Sequence, residues 1–206
     1  MGSFISNEDE SEARAIHDME EVYMDYIKTH KNNVIKAFNN LYTKIINEYE
    51  RTGTVEGFPT NEYFTMAEMY DCIKSLIDNN EIVDHDMSKY SDFEFPQYRA
   101  HWNPTKNEQN APTDVTQAVE LSYQKAWEHH YKNNDHHPEF WYDFEKKEAR
   151  DMSLKSILHM MADWSSFNPD DLTGTIKWYE TADKEKSFMS ERTKAIIDIL
   201  LGWLFK

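Results

Sequence analysis

The histidines of this chain are concentrated in one short stretch. Four of its nine histidines lie in AWEHHYKNNDHHPEFW (residues 126–141), as the pairs His129–His130 and His136–His137. Imidazole nitrogens bind divalent transition metals, and clustered histidines are typical of such sites. A polar loop does not require this clustering. The stretch therefore predicts part of a metal site, whose other ligands must be sought elsewhere in the chain.

A second segment with suitable chemistry is DHDMSKYSDFEF (residues 84–95), where His85 and Asp86 are adjacent and Lys89 follows. A carboxylate can bridge two metal ions while the neighbouring imidazole binds one of them. The ammonium group of Lys89 would suit a substrate phosphate oxygen. Another His-Asp dipeptide begins at His17, in the surface-like start of a helix. The dipeptide alone therefore does not identify a site.

A third feature is Asp163, which lies among methionines and a tryptophan in LHMMADWSSF (residues 158–167). A carboxylate in apolar surroundings is costly unless it is paired or coordinated, although a cap or an ion pair near the helix end would also explain it. His159 lies one turn earlier, as a neighbour or an alternative ligand. His30 lies on an apolar helical stripe and faces the interior, where a hydrogen-bonded core histidine is the simplest interpretation.

The elements that position these residues are predicted to be helices. Apolar residues recur at spacings of three and four, and no segment alternates long enough to predict a strand. Pro96 and Pro104 predict a loop at the end of residues 79–104. The fold class is all-α: one multi-helix domain with a metal site between helices. The predicted helices cover about 12–50, 66–78, 113–133, 152–166 and 183–205.

Helix periodicity also orders the histidine pairs. The stripe of the third helix favours His130 over His129 as the inward residue, whereas Pro138 removes any register that could choose between His136 and His137. The predicted organisation is an acidic flexible tail over residues 1–11 and a helical domain over 12–206, in which 166–206 form a C-terminal elaboration.

Composition excludes several classes of function. The net charge of −16 disfavours a surface that binds extended nucleic acid or an anionic membrane.

The single cysteine, Cys72, permits no internal disulfide, which suits a reducing compartment. The N-terminal sequence is acidic and lacks the apolar segment of a signal peptide. The most apolar run, residues 195–205, is too short to span a bilayer. We therefore expect a cytoplasmic protein.

The order of these residues resembles the HD superfamily of helical metal-dependent phosphohydrolases, whose ligands follow the order His, His-Asp, further His, then Asp. HDMSK is similar to the superfamily's His-Asp-x-Gly-Lys, with Ser88 in place of Gly. A closer resemblance is to an uncharacterised family of phages and Gram-positive bacteria, which shares HD-x-SK-x-x-x-x-EF-x-x-Y, AW-x-x-H, HHPE-[YF]-W and a late DW. This likeness extends from about Tyr26 to Trp164. The Gly-Tyr-Pro signature of the cyclic-dinucleotide phosphodiesterases is absent, so that specificity is not carried over.

The resemblance implies one or two divalent ions of Fe, Mn, Zn or Co, with Asp86 as the bridge. The first ion would also be bound by His30, His85 and Asp163. The second would be bound by His130 with His136 or His137. The resemblance further implies supporting residues around these ligands. Glu94 and Glu139 would orient imidazoles, and Lys89, Tyr98 and Arg99 would contact substrate.

The expected function is hydrolysis of a nucleotide or small phosphoester, in which a metal-activated hydroxide attacks phosphorus and Asp86 and Lys89 take part in catalysis. One alternative is a di-iron oxygenase of the same superfamily, which would use the same ligands. Another is a non-catalytic, phage-encoded binding protein that retains a structural metal. In that case the apolar last helix would form a partner or homodimer face. A phage-encoded protein would act in the cytoplasm of its bacterial host.

Overall fold

The fold is all-α, as the sequence predicts. A computed structural model describes residues 7–205, and helices account for 69% of these residues against 2% for strands. Short 3₁₀ helices cover Met87–Tyr90 and Pro138–Trp141. Within the described residues, the α-helices are α1 (Asn7–Thr52), α2 (Met66–Asp78), α3 (Phe95–Trp102), α4 (Lys106–Gln109), α5 (Thr113–Asn133), α6 (Leu154–Ser165), α7 (Gly174–Thr181), α8 (Asp183–Lys186) and α9 (Glu191–Leu204).

Helix boundaries follow local capping chemistry. The bounds of α2 and α5 are those predicted from the sequence. At the start of α2, the Thr65 side chain accepts from the Glu68 amide and the Glu68 carboxylate accepts from the Thr65 amide, which forms a capping box. The helix α1 begins at Asn7, earlier than predicted. The predicted flexible tail of residues 1–11 therefore overlaps this helix, and its residues 1–6 lie outside the described part of the chain.

The loop predicted around the prolines is wrong in part, because α3 occupies Phe95–Trp102. Pro96 lies in the first turn of α3. A missing N–H has no consequence there, since the first amides of a helix have no intrahelical partner. The following linker also contains a short helix, α4, which a capping box between Thr105 and Glu108 stabilises.

The C-terminal region is more divided than predicted. In place of one helix over 183–205, the chain forms α8 and then α9, which starts after Ser190. The Ser190 hydroxyl accepts from the Thr193 amide, so a serine within the amphipathic pattern acts as a cap. The helix α7 was not predicted. A hairpin is formed by two strands of two residues each, Tyr142–Asp143 and Glu148–Ala149. Such strands are too short to produce an alternating sequence pattern.

The chain forms two compact units, which we describe separately. The first unit comprises the described part of Met1–Thr29 together with Asp86–Asn133. Its small core consists of Tyr23, Ile27, Tyr98 and Ala126.

The second unit comprises His30–His85 and Asn134–Lys206, of which all but the last residue is described. Its larger core is built from one face each of α1, α2, α6 and α9. The most deeply buried members are Val34, Tyr42, Met69, Ile73, Leu76, Ile157, Leu158, Met161, Ala162, Ile197 and Leu200.

Candidate metal centre

Three side chains of the second unit converge on one point, and we call them the metal centre: His30, His85 and Asp163. Nε2 of His30 lies 3.2 Å from Nε2 of His85. Oδ1 of Asp163 lies 3.1 Å from Nε2 of His30 and 3.4 Å from Nε2 of His85. The three atoms thus form a nearly equilateral triangle whose corners are two ring nitrogens and one carboxylate oxygen.

The size of this triangle fits a divalent transition metal. Ligand atoms about 2.05 Å from an ion lie about 2.9 Å apart at octahedral angles and about 3.3 Å apart at tetrahedral angles. The observed separations of 3.1–3.4 Å overlap this range and lie closest to the tetrahedral value. Oδ1 of Asp163 is buried and accepts no well-aligned hydrogen bond from any described residue. Close nitrogen–oxygen approach without hydrogen-bond alignment is what a shared cation would explain.

Both imidazoles have acceptors on their opposite nitrogens. Nδ1 of His85 lies 3.0 Å from Nε2 of His159, and Nδ1 of His30 lies 3.3 Å from the hydroxyl of Ser166. A proton on each Nδ1, donated to these partners, leaves both Nε2 lone pairs directed at the centre. Such outer contacts commonly fix the tautomer and the ring orientation of metal-binding histidines.

The carboxylate of the centre is negatively charged. Burial raises the pKa of Asp163, but the adjacent imidazoles of His30 and His85 outweigh it and hold the pKa well below its usual range. Asp163 therefore offers an anionic oxygen beside two imidazoles. A divalent ion would balance this charge and take up all three ligand atoms.

Packing of the second unit places the ligands. His30 is on α1 and Asp163 is on α6, and the buried hydroxyl of Tyr42 on α1 donates to the Leu158 carbonyl of α6 at 2.9 Å. This bond joins the same two helices that carry the ligands. His85 lies beyond the end of α2, and its amide donates to the Ile82 carbonyl at 3.4 Å. Each ligand is thus held by a different segment of the second unit, namely α1, the turn after α2, and α6.

A second histidine group adjoins the metal centre. Ligand atoms of His85, His136 and His159 also lie close enough together to hold an ion, and all three residues are buried. The His136 ring lies 4.7 Å from that of His85 and 4.4 Å from that of His159. His137 is only partly buried. The structure therefore places His136 beside the metal centre, and the choice between His136 and His137 as ligand of a second ion stays a prediction.

The first unit contains a cluster of two buried carboxylates and a histidine. His130 lies between two carboxylates: its Nε2 is 3.3 Å from Oδ1 of Asp86, and its Nδ1 is 3.0 Å from Oε2 of Glu94. The Ser88 hydroxyl donates to Glu94 at 3.0 Å. Burial lowers the pKa of His130, but the nearby Asp86 and Glu94 outweigh it and raise the pKa above its ordinary value.

The inward position of His130 was predicted correctly. Its side chain is fully buried, whereas that of His129 is 41% exposed and reaches Oε1 of Glu94 at 2.6 Å. Glu94 contacts both imidazoles, as expected of a carboxylate that orients a ligand. A role in orienting a metal ligand stays a prediction. Asp86 has a left-handed backbone, with φ of 55°, which is uncommon outside glycine but better tolerated by Asp and Asn.

The cations predicted to contact substrate phosphate are engaged with acids. Nζ of Lys89 lies 2.6 Å from Oδ2 of Asp86. Arg99 is buried, and its guanidinium lies 2.5 Å from Glu108. Neither Lys89 nor Arg99 therefore presents an uncompensated charge, and their contact with phosphate stays a prediction. Glu139, which was expected to orient an imidazole, is buried in the 3₁₀ helix after His137.

Two outer residues had little signal in the sequence. Ser166 has a common residue type at a helix end, and only its position three residues after Asp163 could have placed it on the same helix face. His159 was noted only as a neighbour or an alternative ligand. Its helical register brings it near Asp163, but the contact with His85 depends on the distant end of α2.

The chain belongs to the family described as "Family of unknown function (DUF5662)", whose model matches residues 19–202. This confirms the predicted membership of an uncharacterised family. No curated protein and no solved structure matches the chain. None of the helices between residues 7 and 205 is long and apolar enough to cross a membrane.

Proposed function

We propose that this member of a family of unknown function is a metal-dependent phosphohydrolase of the HD type, acting on a nucleotide or small phosphoester. The observation that carries the proposal is the convergence of His30, His85 and Asp163 at mutual distances of 3.1–3.4 Å. Two imidazoles and a carboxylate suit Fe, Mn, Zn or Co. We propose one such ion at this centre.

When bound, a divalent ion would activate water and neutralise charge on the phosphoryl oxygens. The chain supplies the donors and holds them in place. Asp163 would contribute an anionic ligand oxygen, and His30 and His85 would each contribute a ring nitrogen. Ser166 and His159 would accept hydrogen bonds from the N–H groups of the opposite ring nitrogens, which would keep both imidazoles in the tautomer that binds a metal.

Metal content and phosphoesterase activity test the proposal together. The protein would be purified, its bound metals measured, and the loaded protein screened against nucleotides and generic phosphoesters. We expect bound transition metal and hydrolysis of at least one phosphoester class. His85→Ala should lose both, because it removes a central ligand. The control His17→Ala alters the other His-Asp dipeptide. The His17 side chain is 68% exposed, so this variant should keep both the metal and the activity.

Each other outcome would point elsewhere. Loss of metal in His17→Ala would show that the wrong dipeptide was chosen. About two irons per chain with a mixed-valence spectrum would support the oxygenase instead. Bound metal without turnover of any phosphoester would support a structural metal in a binding protein. Absence of metal, with folding unchanged after chelation, would overturn both metal-dependent enzymes.

The proposal also includes the cytoplasm as the place of action, in the bacterial host if the gene is phage-encoded. Its support is the single cysteine, because a chain without an internal disulfide suits a reducing compartment. Fractionation of cells that express the protein would test this part separately.

A further inference from the structure

The first unit contains a cavity of about 490 Å³ that is lined mostly by aromatic side chains. We call it the aromatic cavity. Tyr23 and Tyr98 form its buried part, whereas Trp102 is 61% exposed. A large aromatic ring left this exposed at a cavity is a feature of ligand sites more than of a core.

The rings of the aromatic cavity are arranged to receive a flat group. Tyr23 and Tyr98 are nearly parallel, with centroids 6.4 Å apart and an interplanar angle of 10°. Tyr123 meets Tyr98 edge-on at 5.3 Å, and Trp102 meets Tyr123 edge-on at 6.0 Å. Faces and edges of different rings are thus presented around one space. This arrangement allows offset stacking and edge contacts with an aromatic ligand.

Polar groups of the cavity wall have hydrogen-bonding capacity that the described chain does not use. The hydroxyls of Tyr23 and Tyr98 are buried and have no hydrogen-bond partner among the described residues. The Asn103 side chain lines the cavity and likewise makes no hydrogen bond within residues 7–205. A planar amide carries both donors and an acceptor, which suits the edge of a heteroaromatic base.

The charge balance of the cavity selects a neutral group. Lys89 lines the cavity and lies 5.9 Å above the Tyr98 ring, so the cation–π position there is already occupied. Its ammonium is also paired with Asp86 at 2.6 Å. A ligand cation would find the face of Tyr98 taken by Lys89, and a phosphate would meet a cation whose charge Asp86 already balances. The group that enters is therefore an uncharged ring.

We propose that the aromatic cavity binds a nucleobase, stacked on the exposed ring of Trp102, with its edge toward the perpendicular ring of Tyr123 and hydrogen-bonded to the Asn103 amide. The inference goes beyond the proposed function, because it depends on no metal ligand and assigns a binding site to the first unit alone. It holds whether or not the metal centre hydrolyses phosphoesters.

Nucleoside binding to the full-length protein tests this inference. Adenosine, guanosine, cytidine and uridine would be titrated while tryptophan fluorescence is followed, since Trp102 and Trp127 both line the cavity. We expect saturable quenching by at least one nucleoside. The same titration in His85→Ala should give the same affinity. A failed metal centre and a failed base site are thereby distinguished.

Two exposed tryptophans give a matched pair of variants. Trp102→Ala should weaken nucleoside binding about 5-fold to 150-fold, the range that base–aromatic stacking produces. Trp178 is 39% exposed and lies in the second unit, so Trp178→Ala should leave the affinity unchanged. Asn103→Ala should change the preference among the four bases, because it removes the amide that contacts the base edge.

Several results would overturn the inference. These are no saturable binding by the wild type, equal loss in Trp178→Ala, or an unchanged affinity in Trp102→Ala. Tetramethylammonium serves as the competing probe. If it bound more tightly than every nucleoside, the aromatic cavity would be a cation cage. Circular dichroism of each variant serves as the control for unfolding. Because Trp102 is largely exposed, we expect Trp102→Ala to keep the wild-type helical content.

Discussion

His85 and His159 face each other through Nδ1 and Nε2, 3.0 Å apart, and both side chains are buried. The opposite nitrogen of His85 lies beside His30 and Asp163. A hydrogen on Nδ1 of His85 would be donated to His159, while the lone pair on Nε2 would be left for a metal. On this geometry His159 is a positioning residue, which acts through His85.

Replacing His159 should weaken metal binding without abolishing it. We expect His159→Ala to lower metal affinity about 10-fold to 100-fold, the usual effect of losing an outer partner of a ligating imidazole. Competition with a chromophoric chelator would measure this. His159→Gln should recover part of the loss, because a carboxamide oxygen can accept the His85 proton.

A histidine outside the second unit provides the control for this variant. His101 pairs with Glu120 in the first unit, and His101→Ala should leave metal affinity unchanged. Complete loss of metal in His159→Ala, with no rescue by Gln, would make His159 a ligand and contradict the positioning role.

Asp163→Asn should remove metal retention while preserving the fold. The change keeps the shape of the side chain but removes its negative charge, which the neighbouring imidazoles stabilise. We expect less than a tenth of the wild-type metal content by elemental analysis. Helical content by circular dichroism should be unchanged. Asp170→Asn, at an exposed carboxylate paired with Lys36, is the matched control and should retain the metal.

Helical periodicity predicted the parts of the site that belong to long regular helices. The stripe through α1 placed His30 toward the interior, and the stripe through α5 chose His130 over His129; burial confirms both. These predictions succeeded because one register fixes the direction of every side chain on a helix. The inward faces of α1 and α5 could therefore be recognised before any distance between helices was known.

Contacts between segments distant in the chain could not be predicted in the same way. Pro138 interrupts the register after α5, so the burial of His136 depends on how the chain turns there. The pairing of Arg99 with Glu108 depends on α3 and α4, both in segments predicted as loop or linker. Three-residue and four-residue spacings describe faces of one helix and carry no information on partners across a turn.

Metal binding should stabilise the folded protein. An ion that binds only the native state at 100 times its dissociation constant adds about 2.7 kcal/mol to the free energy of unfolding. Thermal unfolding followed by circular dichroism, after chelation and after addition of Mn²⁺, Zn²⁺ or Co²⁺, should show this rise. His30→Ala should unfold at one temperature in both conditions. A rise of equal size in that variant would place the ion elsewhere.

The ion pair between Arg99 and Glu108 should contribute to the acid sensitivity of the fold. Burial raises the pKa of Glu108, but the hydrogen bond and charge of Arg99 and the bonds from Thr105 outweigh it, so the net pKa is lowered. A carboxyl group whose pKa is lower in the folded state adds stability above its unfolded pKa, about 4.3. That stability is lost as the pH falls through the folded value.

Urea unfolding at several pH values between 7 and 3 measures this contribution. Glu108→Gln should reduce the decline in the free energy of unfolding below about pH 5, because the variant cannot take up the proton. Glu128→Gln is the control: its ion pair with Lys132 is exposed, and such pairs contribute little. If the free energy of unfolding of Glu108→Gln fell with pH as steeply as that of the wild type, the ion pair with Arg99 would not contribute to the acid sensitivity.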